Sequence, residues 1–315
     1  MRDLAAVAGD IKLAHSIFAL PFALLAAFLA AVPPPAPTAP AMTGGGARAA
    51  AVALDWPRFA AQLGLVVVAM VAARTCAMLA NRLLDRDIDR ENPRTLGRAL
   101  PSGRLAVSRA VWFLVACAAL FMAACAGFLA FGNAWPLLLG LPVLAWICAY
   151  GLLKRFTTLC HVYLGSSLAI SPIAATIAID PAQVGQRTVW LLAGMVLCWV
   201  AGFDVIYALQ DVDADRGQGL HSLPSRWGVP AAMWASRALH VVAAACLWIA
   251  VLGDPRFGTA MRLAAALVTA LLAVEHATVA RWGTSRIALA FFTLNGVISC
   301  IVGGLGILDV MLGAA

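Results

Sequence analysis

Nine stretches of about 20 mostly apolar residues run through the chain, and this is the length that a helix needs to cross a bilayer. Breakers such as Gly132-Asn133 and Asp180-Pro181 separate the stretches. Charged residues make up only 12% of the 315 residues, about half of the roughly 25% that is usual in soluble domains. We therefore predict an all-α fold, a multi-pass transmembrane helical bundle that forms one domain over residues 1–315. The predicted segments are 13–31, 60–84, 108–131, 134–153, 160–179, 188–209, 232–252, 260–280 and 287–308.

The basic residues predict how the bundle lies in its membrane. If the N-terminus is cytoplasmic, sixteen of the 22 Lys and Arg residues fall on the cytoplasmic side and five on the other, with Arg74 inside a helix. We expect a protein of the cell inner membrane whose N-terminus and active-site mouth face the cytoplasm. The net charge of +7 does not indicate nucleic-acid binding, because the basic residues form neither a polybasic tail nor a basic face interleaved with aromatic residues.

An uncharged stretch rich in Pro, Gly and Ala lies between the first two predicted helices, at Pro33–Gly46. Such a composition is typical of a loop that does not pack into a core. We expect residues 33–58 to form a mobile external loop without a chemical role.

Acidic residues concentrate in two short windows, which hold eight of the 15 and follow the second and sixth predicted helices. In the first window, a spacing of four places Asn81, Asp85 and Asp89 on one helical face. Arg74, seven residues before Asn81, extends that face into the membrane. Both windows fall on the predicted cytoplasmic side, in loops that cap the bundle.

The second window repeats this geometry, with offsets of three, seven and eleven residues that also return to one helical face. Its polar residues are Asp204, Tyr207, Asp211 and Asp215. Stacked carboxylates repel one another, and a charge at helix depth costs about 2.5–3.5 kcal/mol even on the lenient insertion scale. Two such stripes at one membrane face therefore predict a bound cation. The alternative is a pair of solvated loops whose Asp and Arg side chains form surface ion pairs.

All-oxygen ligands without Cys or His suit Mg²⁺, Mn²⁺ or Ca²⁺. Mg²⁺ usually keeps waters and is completed by phosphate oxygens of a substrate, and the basic residues beside both windows suit an anionic group. The sequence thus favours Mg²⁺ and a phosphate-bearing substrate at the membrane surface.

The two windows together resemble the motifs of the UbiA-type intramembrane aromatic prenyltransferases, in particular the 4-hydroxybenzoate polyprenyltransferase-like branch of quinone biosynthesis. Asn81, Asp85 and Asp89 match an N-x-x-x-D-x-x-x-D motif, and the second window matches D-x-x-Y-x-x-x-D-x-x-x-D. The stretch R98-A-L-P-S-G103 and the element Y150-G-L-L-K154 resemble further family segments. The insertion at Pro33–Gly46 is the main departure from the family.

The resemblance implies Mg²⁺-dependent transfer of a polyprenyl group from its diphosphate to an aromatic acceptor, within a bundle that opens toward lipid. A water-excluding pocket that contains Trp and Phe would shield the allylic cation. The resemblance assigns the binding of the metal to Asp85, Asp89, Asp211 and Asp215. It assigns diphosphate binding to Asn81, Arg98 and Lys154.

For the acceptor, we expect Asp204 with Tyr207 to orient the aromatic substrate or to accept its proton, the alternative being a hydrogen bond that packs helices. Arg74 would pair with the acceptor carboxylate or phenolate, the alternative being an internal ion pair. His161 lies in a family-like segment, although a lone His in a helix more often makes a packing hydrogen bond.

The predicted function is prenylation of a hydroxyaryl carboxylic acid in ubiquinone or menaquinone synthesis. The expected acceptor is 4-hydroxybenzoate. A 1,4-dihydroxy-6-naphthoate acceptor for menaquinone is an alternative within the family. A cation-coupled secondary transporter is the alternative from another class, since Glu275 and His276 lie within a predicted helix. A transporter would, however, favour charges near the midplane and symmetry between halves.

Overall fold

The computed structural model describes residues 18–34, 54–287 and 293–314. Within these ranges the regular elements are helices, as expected where a bilayer offers no partner to backbone groups. The α-helices are α1 (Leu20–Ala31), α2 (Trp56–Leu84), α3 (Arg86–Glu91), α4 (Val107–Gly127), α5 (Trp135–Leu153), α6 (Cys160–Ile179), α7 (Arg187–Tyr207), α8 (Val212–Gly217), α9 (Leu223–Trp227), α10 (Val229–Gly253), α11 (Thr259–Trp282) and α12 (Asn295–Ala314).

The predicted multi-pass bundle is confirmed. In the described part of the chain, eight helices are long and apolar enough to cross a membrane, and α1 is a shorter apolar helix of 12 residues. The eight are α2, α4, α5, α6, α7, α10, α11 and α12, three of them counted with an adjoining short turn or helix. Residues 13–17 of the first predicted segment and 288–292 of the last lie outside the described residues.

Helix α2 begins earlier than the apolar pattern predicts. The Asp55 side chain accepts a hydrogen bond from the backbone N–H of Arg58 (3.2 Å), and Pro57 occupies the first turn, where its missing N–H costs nothing. Residues 56–58, which we expected in the external loop, therefore form the first turn of α2. Residues 35–53 of that loop lie outside the described residues.

The helices alternate in direction, so the loops gather at two ends of the bundle. We call the end formed by residues 85–106, 154–159 and 208–228 the cap end, and the end formed by residues 128–134, 180–186 and 254–258 the far end. Helices α2, α5 and α7 finish at the cap end, whereas α4, α6 and α10 start there. Both acidic windows consequently lie at the cap end.

Helix α7 is the centre of the bundle. About two thirds (67%) of its apolar window is buried, against 22–44% for the other long helices, and it packs between α6 and α10. Glycines allow this close packing. A Cβ on Gly165 of α6 would lie 2.3 Å from the Leu197 carbonyl oxygen of α7, and one on Gly202 of α7 would lie 2.3 Å from the His240 ring of α10. The position of α7 fixes where the second acidic window emerges.

At the far end, a buried ion pair anchors α1. The Arg256 guanidinium binds both carboxylate oxygens of Asp254 (2.9 and 2.6 Å) and donates to the carbonyl oxygens of Leu29 (2.7 Å) and Val32 (2.8 Å). The carbonyl groups at the end of a helix lack partners within it, and here the guanidinium supplies them. Arg256 thus joins the end of α1 to the loop between α10 and α11.

Replacement of Arg256 by Met should destabilise the protein strongly. The change would leave a buried carboxylate without its cation, and breaking one partner of a buried pair costs about 3–5 kcal/mol. We expect a clear fall in the thermal unfolding midpoint in detergent. Arg262→Met, at an exposed arginine of the nearby α11, is the matched control and should unfold close to the wild-type temperature. An equal midpoint for both variants would contradict this role of Arg256.

Candidate active site

The first acidic window lies where α2 passes into the short helix α3. The Asp85 N–H donates to the Asn81 carbonyl oxygen (2.9 Å), and the Asp89 N–H donates to that of Asp85 (2.7 Å). The helical spacing therefore continues through the junction at Asp85, as predicted. Asn81 packs against α5, where a Cβ on Gly151 would approach its Oδ1 atom to 2.5 Å. That glycine allows α5 to bring Lys154 up to the window.

The second window does not follow one uninterrupted α-helix. Helix α7 ends at Tyr207, and residues Ala208–Asp211 form a 3₁₀ turn before α8 begins. A 3₁₀ turn has about 3.0 residues per turn instead of 3.6, so it rotates the later acidic residues relative to Asp204. The prediction of a single shared face for the whole window was wrong in this respect, because offsets alone do not reveal a change of helix type.

Basic side chains from other segments pair with three of the four predicted metal ligands, and two of these ligands, Asp85 and Asp89, belong to the first window. Lys154 Nζ lies 2.6 Å from Asp85 Oδ2. Arg98 Nη1 lies 2.7 and 2.8 Å from the two oxygens of Asp89. The structure thus places Lys154 and Arg98, both predicted to bind diphosphate, directly beside the first window.

Arg94 binds two residues of the second window, a role that the sequence did not predict. Its Nε donates to Asp211 Oδ1 (2.8 Å), its Nη2 to Oδ2, and its Nη1 to the Tyr207 hydroxyl (3.0 Å). Asn92 Nδ2 also donates to Asp211 Oδ1 (2.9 Å). The loop that follows the first window therefore crosses over to the second. No spacing pattern signals this contact, because its partners lie more than 110 residues apart.

Two predicted metal ligands are incompletely paired with basic side chains of the described residues. Asp85 is buried, and its Oδ1 has no hydrogen bond with a described residue and lies 3.9 Å from Arg155 Nη2. Burial raises the pKa of the Asp85 carboxyl, the Lys154 ammonium lowers it, and the charge of Asp89 raises it further. Asp215, half-buried in α8, forms no ion pair with any described residue. Both carboxylates would gain from added positive charge.

The donor set fits Mg²⁺ in its chemistry, since it consists of carboxylate and amide oxygens. Among residues 18–34, 54–287 and 293–314, however, no three His, Cys, Asp or Glu side chains converge closely enough to hold an ion. The described side chains instead neutralise the carboxylates with Arg and Lys. A divalent cation would therefore have to draw the two windows together and release these basic side chains toward its anionic partner.

An apolar cavity of about 370 Å³ lies between α1, α2, α4, α5 and α6. Its size is within the range of small-molecule sites. Most of its wall is aliphatic, and its polar side chains are Arg74, Tyr150, Ser167 and Ser171. Arg74 and Tyr150 belong to the same helices, α2 and α5, as Asn81 and Lys154. The cavity thus adjoins the acidic windows at its polar end.

Arg74 has no carboxylate partner in the described part of the chain. Its Nε atom is buried without a hydrogen bond, and its side chain lines the cavity beside Tyr150. An internal ion pair, the alternative for this residue, is therefore not what the structure shows. A guanidinium that lines an apolar cavity without a counterion is costly and suits an anionic ligand.

The aromatic content of the cavity differs from our expectation. Its described wall contains Phe121, Phe128 and Tyr150 but no Trp. Eight of the ten Trp residues are exposed instead, as is typical of aromatic side chains at the two interfaces of a membrane. These are Trp56, Trp112, Trp135, Trp146, Trp190, Trp227, Trp234 and Trp282. The expectation of a Trp-containing pocket was wrong because composition does not distinguish an interface belt from a pocket wall.

Asp204 and Tyr207, predicted to act together, have different partners. Asp204 Oδ2 lies 2.7 Å from His161 Nδ1 of α6. The Tyr207 hydroxyl accepts a hydrogen bond from Arg94, whose guanidinium also lies 5.3 Å from the centre of the tyrosine ring. Tyr207 therefore belongs to the cluster around Asp211, whereas Asp204 lies one turn deeper against α6.

These features find a counterpart among known proteins. The model of the UbiA prenyltransferase family matches residues 38–297, so the chain belongs to that family, as its motifs predict. Membership makes it a prenyltransferase. A 4-hydroxybenzoate octaprenyltransferase of Paracidovorax citrulli (strain AAC00-1) is 30% identical over 237 residues, which cover 74% of this chain and 76% of that protein. The enzyme of the same name from Francisella tularensis subsp. novicida (strain U112) is 30% identical over 162 residues, and the match covers 51% of this chain and 54% of that protein.

Solved structures share the fold. A UbiA homolog from Aeropyrum pernix K1 aligns with a TM-score of 0.77 at 30% identity, covering 94% of this chain and 98% of that one. A UbiA homolog from Archaeoglobus fulgidus, bound to GPP and Mg²⁺, aligns with a TM-score of 0.68 at 18% identity, covering 97% and 99%. The predicted fold is thereby confirmed.

The pairing of Lys154 with Asp85 should make a measurable contribution to the stability of the protein against thermal unfolding. Lys154→Met would leave a carboxyl group whose side chain is only 3% exposed without its closest cation, at a cost of about 1–3 kcal/mol. We expect a lower unfolding midpoint in detergent, partly restored by Asp85→Asn in the same protein. Arg155→Met is the control, because Arg155 lies 3.9 Å from Asp85 and its side chain is 36% exposed. A loss that Asp85→Asn does not reduce would contradict the pairing.

Proposed function

We propose that this protein transfers a polyprenyl group from polyprenyl diphosphate to a hydroxyaryl carboxylic acid, most closely 4-hydroxybenzoate, in quinone biosynthesis. The observation that carries the proposal is the Arg74 guanidinium, which has no carboxylate partner among the described residues and lines an apolar cavity that adjoins two acidic windows. The relatives named 4-hydroxybenzoate octaprenyltransferase support the acceptor, and the homolog bound to GPP and Mg²⁺ supports the donor class and the ion.

The donor diphosphate would lie at the cap end, between the two windows. The Mg²⁺ ligands would be Asp85, Asp89, Asp211 and Asp215, with Asn81 beside them. Mg²⁺ would supply neutralisation of the diphosphate charge, which makes it a better leaving group. Lys154 and Arg98, which now neutralise Asp85 and Asp89, would turn to the diphosphate oxygens when positive charge reaches those carboxylates.

The prenyl chain would lie in the cavity, whose aliphatic wall excludes water. Breaking the C–O bond of the donor leaves an allylic cation, which the aromatic rings that line the cavity, those of Phe121, Phe128 and Tyr150, would stabilise. The acceptor carboxylate would pair with Arg74. The ring carbon of the acceptor next to its hydroxyl group would form the new C–C bond. Asp204 would accept the proton of that hydroxyl.

The membrane orientation is part of the proposal. Within the described residues, most basic side chains belong to the cap end, and Arg58, Arg187, Arg256 and Arg262 belong to the far end. Because positive residues favour the cytoplasmic side, the cap end would face the cytoplasm, and the windows would meet water-soluble Mg²⁺ and acceptor there. In a bacterial cell the membrane would be the inner one.

The acidic windows can be tested directly. Asp85→Asn and Asp211→Asn should each lower prenyl transfer in isolated membranes about 100–1,000-fold, the usual effect of removing one group that stabilises developing charge. The assay uses labelled prenyl diphosphate, 4-hydroxybenzoate and a Mg²⁺ titration. Asp87→Asn is the matched control, because Asp87 lies in the same window but its ion pairs with described residues are those with Arg86 and Arg90, and its side chain is 74% exposed. Full activity of both variants would remove the assignment of the windows to metal and diphosphate.

Arg74 should determine the choice of acceptor. Arg74→Met should raise KM for 4-hydroxybenzoate roughly 10–100-fold, the value of a hydrogen-bonded charge contact of about 1.5–3 kcal/mol. KM for the donor should stay the same. A phenol without the carboxylate is the matched substrate control, and its KM should be the same for Arg74→Met as for the wild type. An equal loss with both acceptors would show that Arg74 does not bind the carboxylate.

An acceptor panel separates the remaining alternatives. Preferred use of 1,4-dihydroxy-6-naphthoate would move the reaction to the menaquinone branch. Substrate uptake into sealed vesicles without a covalent product would favour a transporter instead. Family membership and the gathering of the acidic windows at one end favour the enzyme.

A further inference from the structure

His161 is buried at the start of α6, where it faces the acidic side chain that lies deepest in the second window. Its Nδ1 atom is 2.7 Å from Asp204 Oδ2, and its own side chain is only 4% exposed. Gly165, one turn further along α6, brings that helix against the backbone of α7 at Leu197. The close approach of the two helices is what allows His161 to reach Asp204.

The second ring nitrogen of His161 reveals which atom carries the proton. The backbone N–H of Leu223 donates to His161 Nε2 at 3.1 Å. A backbone amide can only donate, so Nε2 must present its lone pair. The proton of the neutral imidazole therefore resides on Nδ1, which donates it to Asp204. The hydrogen bond defines Asp204 Oδ2 as an acceptor.

We propose that His161 is a positioning residue, which fixes the Asp204 carboxylate so that its other oxygen, Oδ1, accepts the proton of the acceptor hydroxyl. The inference rests on the proposed function, because it assigns His161 a role in that reaction. The Asp204 side chain is 23% exposed, against 4% for His161, so the carboxylate can be reached while its support is buried. Oδ1 makes no hydrogen bond with a described residue.

The same histidine ties Asp204 to the loop behind the second window. Leu223 begins α9, and the His221 N–H, two residues earlier, donates to the Lys154 carbonyl oxygen (2.7 Å). The depth of Asp204 is thereby fixed relative to the backbone of Lys154, whose side chain would bind diphosphate. A residue that supports a functional group in this way usually affects its performance about 10–100-fold.

In the step that His161 supports, the donor C–O bond breaks and the electron pair leaves with the diphosphate. The aromatic ring carbon supplies the electron pair of the new C–C bond. The hydroxyl proton passes to Asp204 Oδ1, the ring proton passes to an oxygen of the released diphosphate as aromaticity returns, and Asp204 then returns its proton to the phenolate oxygen. His161 keeps its proton on Nδ1 throughout and is neither oxidised nor reduced. Its effect is on the orientation of the Asp204 carboxylate.

A double-mutant cycle tests the inference in the full-length protein in membranes. His161→Phe keeps much of the ring volume but cannot donate, and it should lower kcat about 10–100-fold, with KM for prenyl diphosphate and the Mg²⁺ dependence unchanged. His161→Asn should recover kcat to within a few-fold of wild type, because its amide nitrogen occupies the position of Nδ1. In the Asp204→Asn background, His161→Phe should cause no further loss.

Independent, multiplicative losses in the cycle would overturn the inference, as would an equal loss for His161→Phe and His161→Asn. A changed KM for the donor would indicate a general structural role and would also overturn it. A wild-type protein that prenylates none of the acceptors would overturn the proposed function itself. An active wild type with independent losses would leave the proposed function intact and overturn the inference alone.

The tautomer provides a measurement that does not depend on activity. The chain has five His residues, so ¹⁵N-histidine labelling in detergent, with His161→Phe to assign the signal, isolates one imidazole. We expect a neutral ring with its proton on Nδ1. A proton on Nε2, or a doubly protonated ring, would contradict the hydrogen bond from Leu223 and overturn the proposed geometry.

Discussion

Four carboxylates at one edge of a membrane-embedded bundle must be neutralised, and this requirement shapes the cap end. The fold supplies Lys154 from the end of α5 and Arg94 and Arg98 from the loop that follows α3. Both acidic windows depend on cations that come from elsewhere in the chain. Because Arg and Lys also bind diphosphate well, the side chains that stabilise the substrate-free state are the ones a diphosphate would need.

The sequence predicted those parts of the molecule that depend on local periodicity. Apolar runs of about 20 residues indicated the helices, since length and hydropathy alone determine whether a segment can span. A spacing of four identified Asn81, Asp85 and Asp89, because α2 continues helically through Asp85. The same logic failed in part for the second window, where the turn at Ala208–Asp211 tightens to 3₁₀ geometry.

Contacts between distant segments could not be predicted in this way. Arg94 follows the first window in sequence but binds Asp211 of the second, and His161 was interpreted as an ordinary helix histidine although it pairs with Asp204. Both contacts result from how α2, α6 and α7 pack. Residue type gave no warning, because an Arg after an acidic motif has near neighbours that would serve it equally well. The cavity wall presents the same difficulty, since the exposed Trp residues left it to Phe and Tyr.

The two ends of the bundle differ in role: the far end stabilises the fold, and the cap end carries the side chains proposed for the chemistry. At the far end, Arg256 is fully paired with Asp254 and with carbonyl groups of α1, and the first residue of that helix, Leu20, lines the cavity. A fixed α1 keeps one wall of the cavity in place. At the polar end of the cavity, Arg74 has no carboxylate partner among the described residues, and in the first acidic window Asp85 Oδ1 has no hydrogen bond with them. Unsatisfied groups of this kind are tolerated in a membrane only where the rest of the fold is secure, and here their cost would be recovered when anions and cations bind.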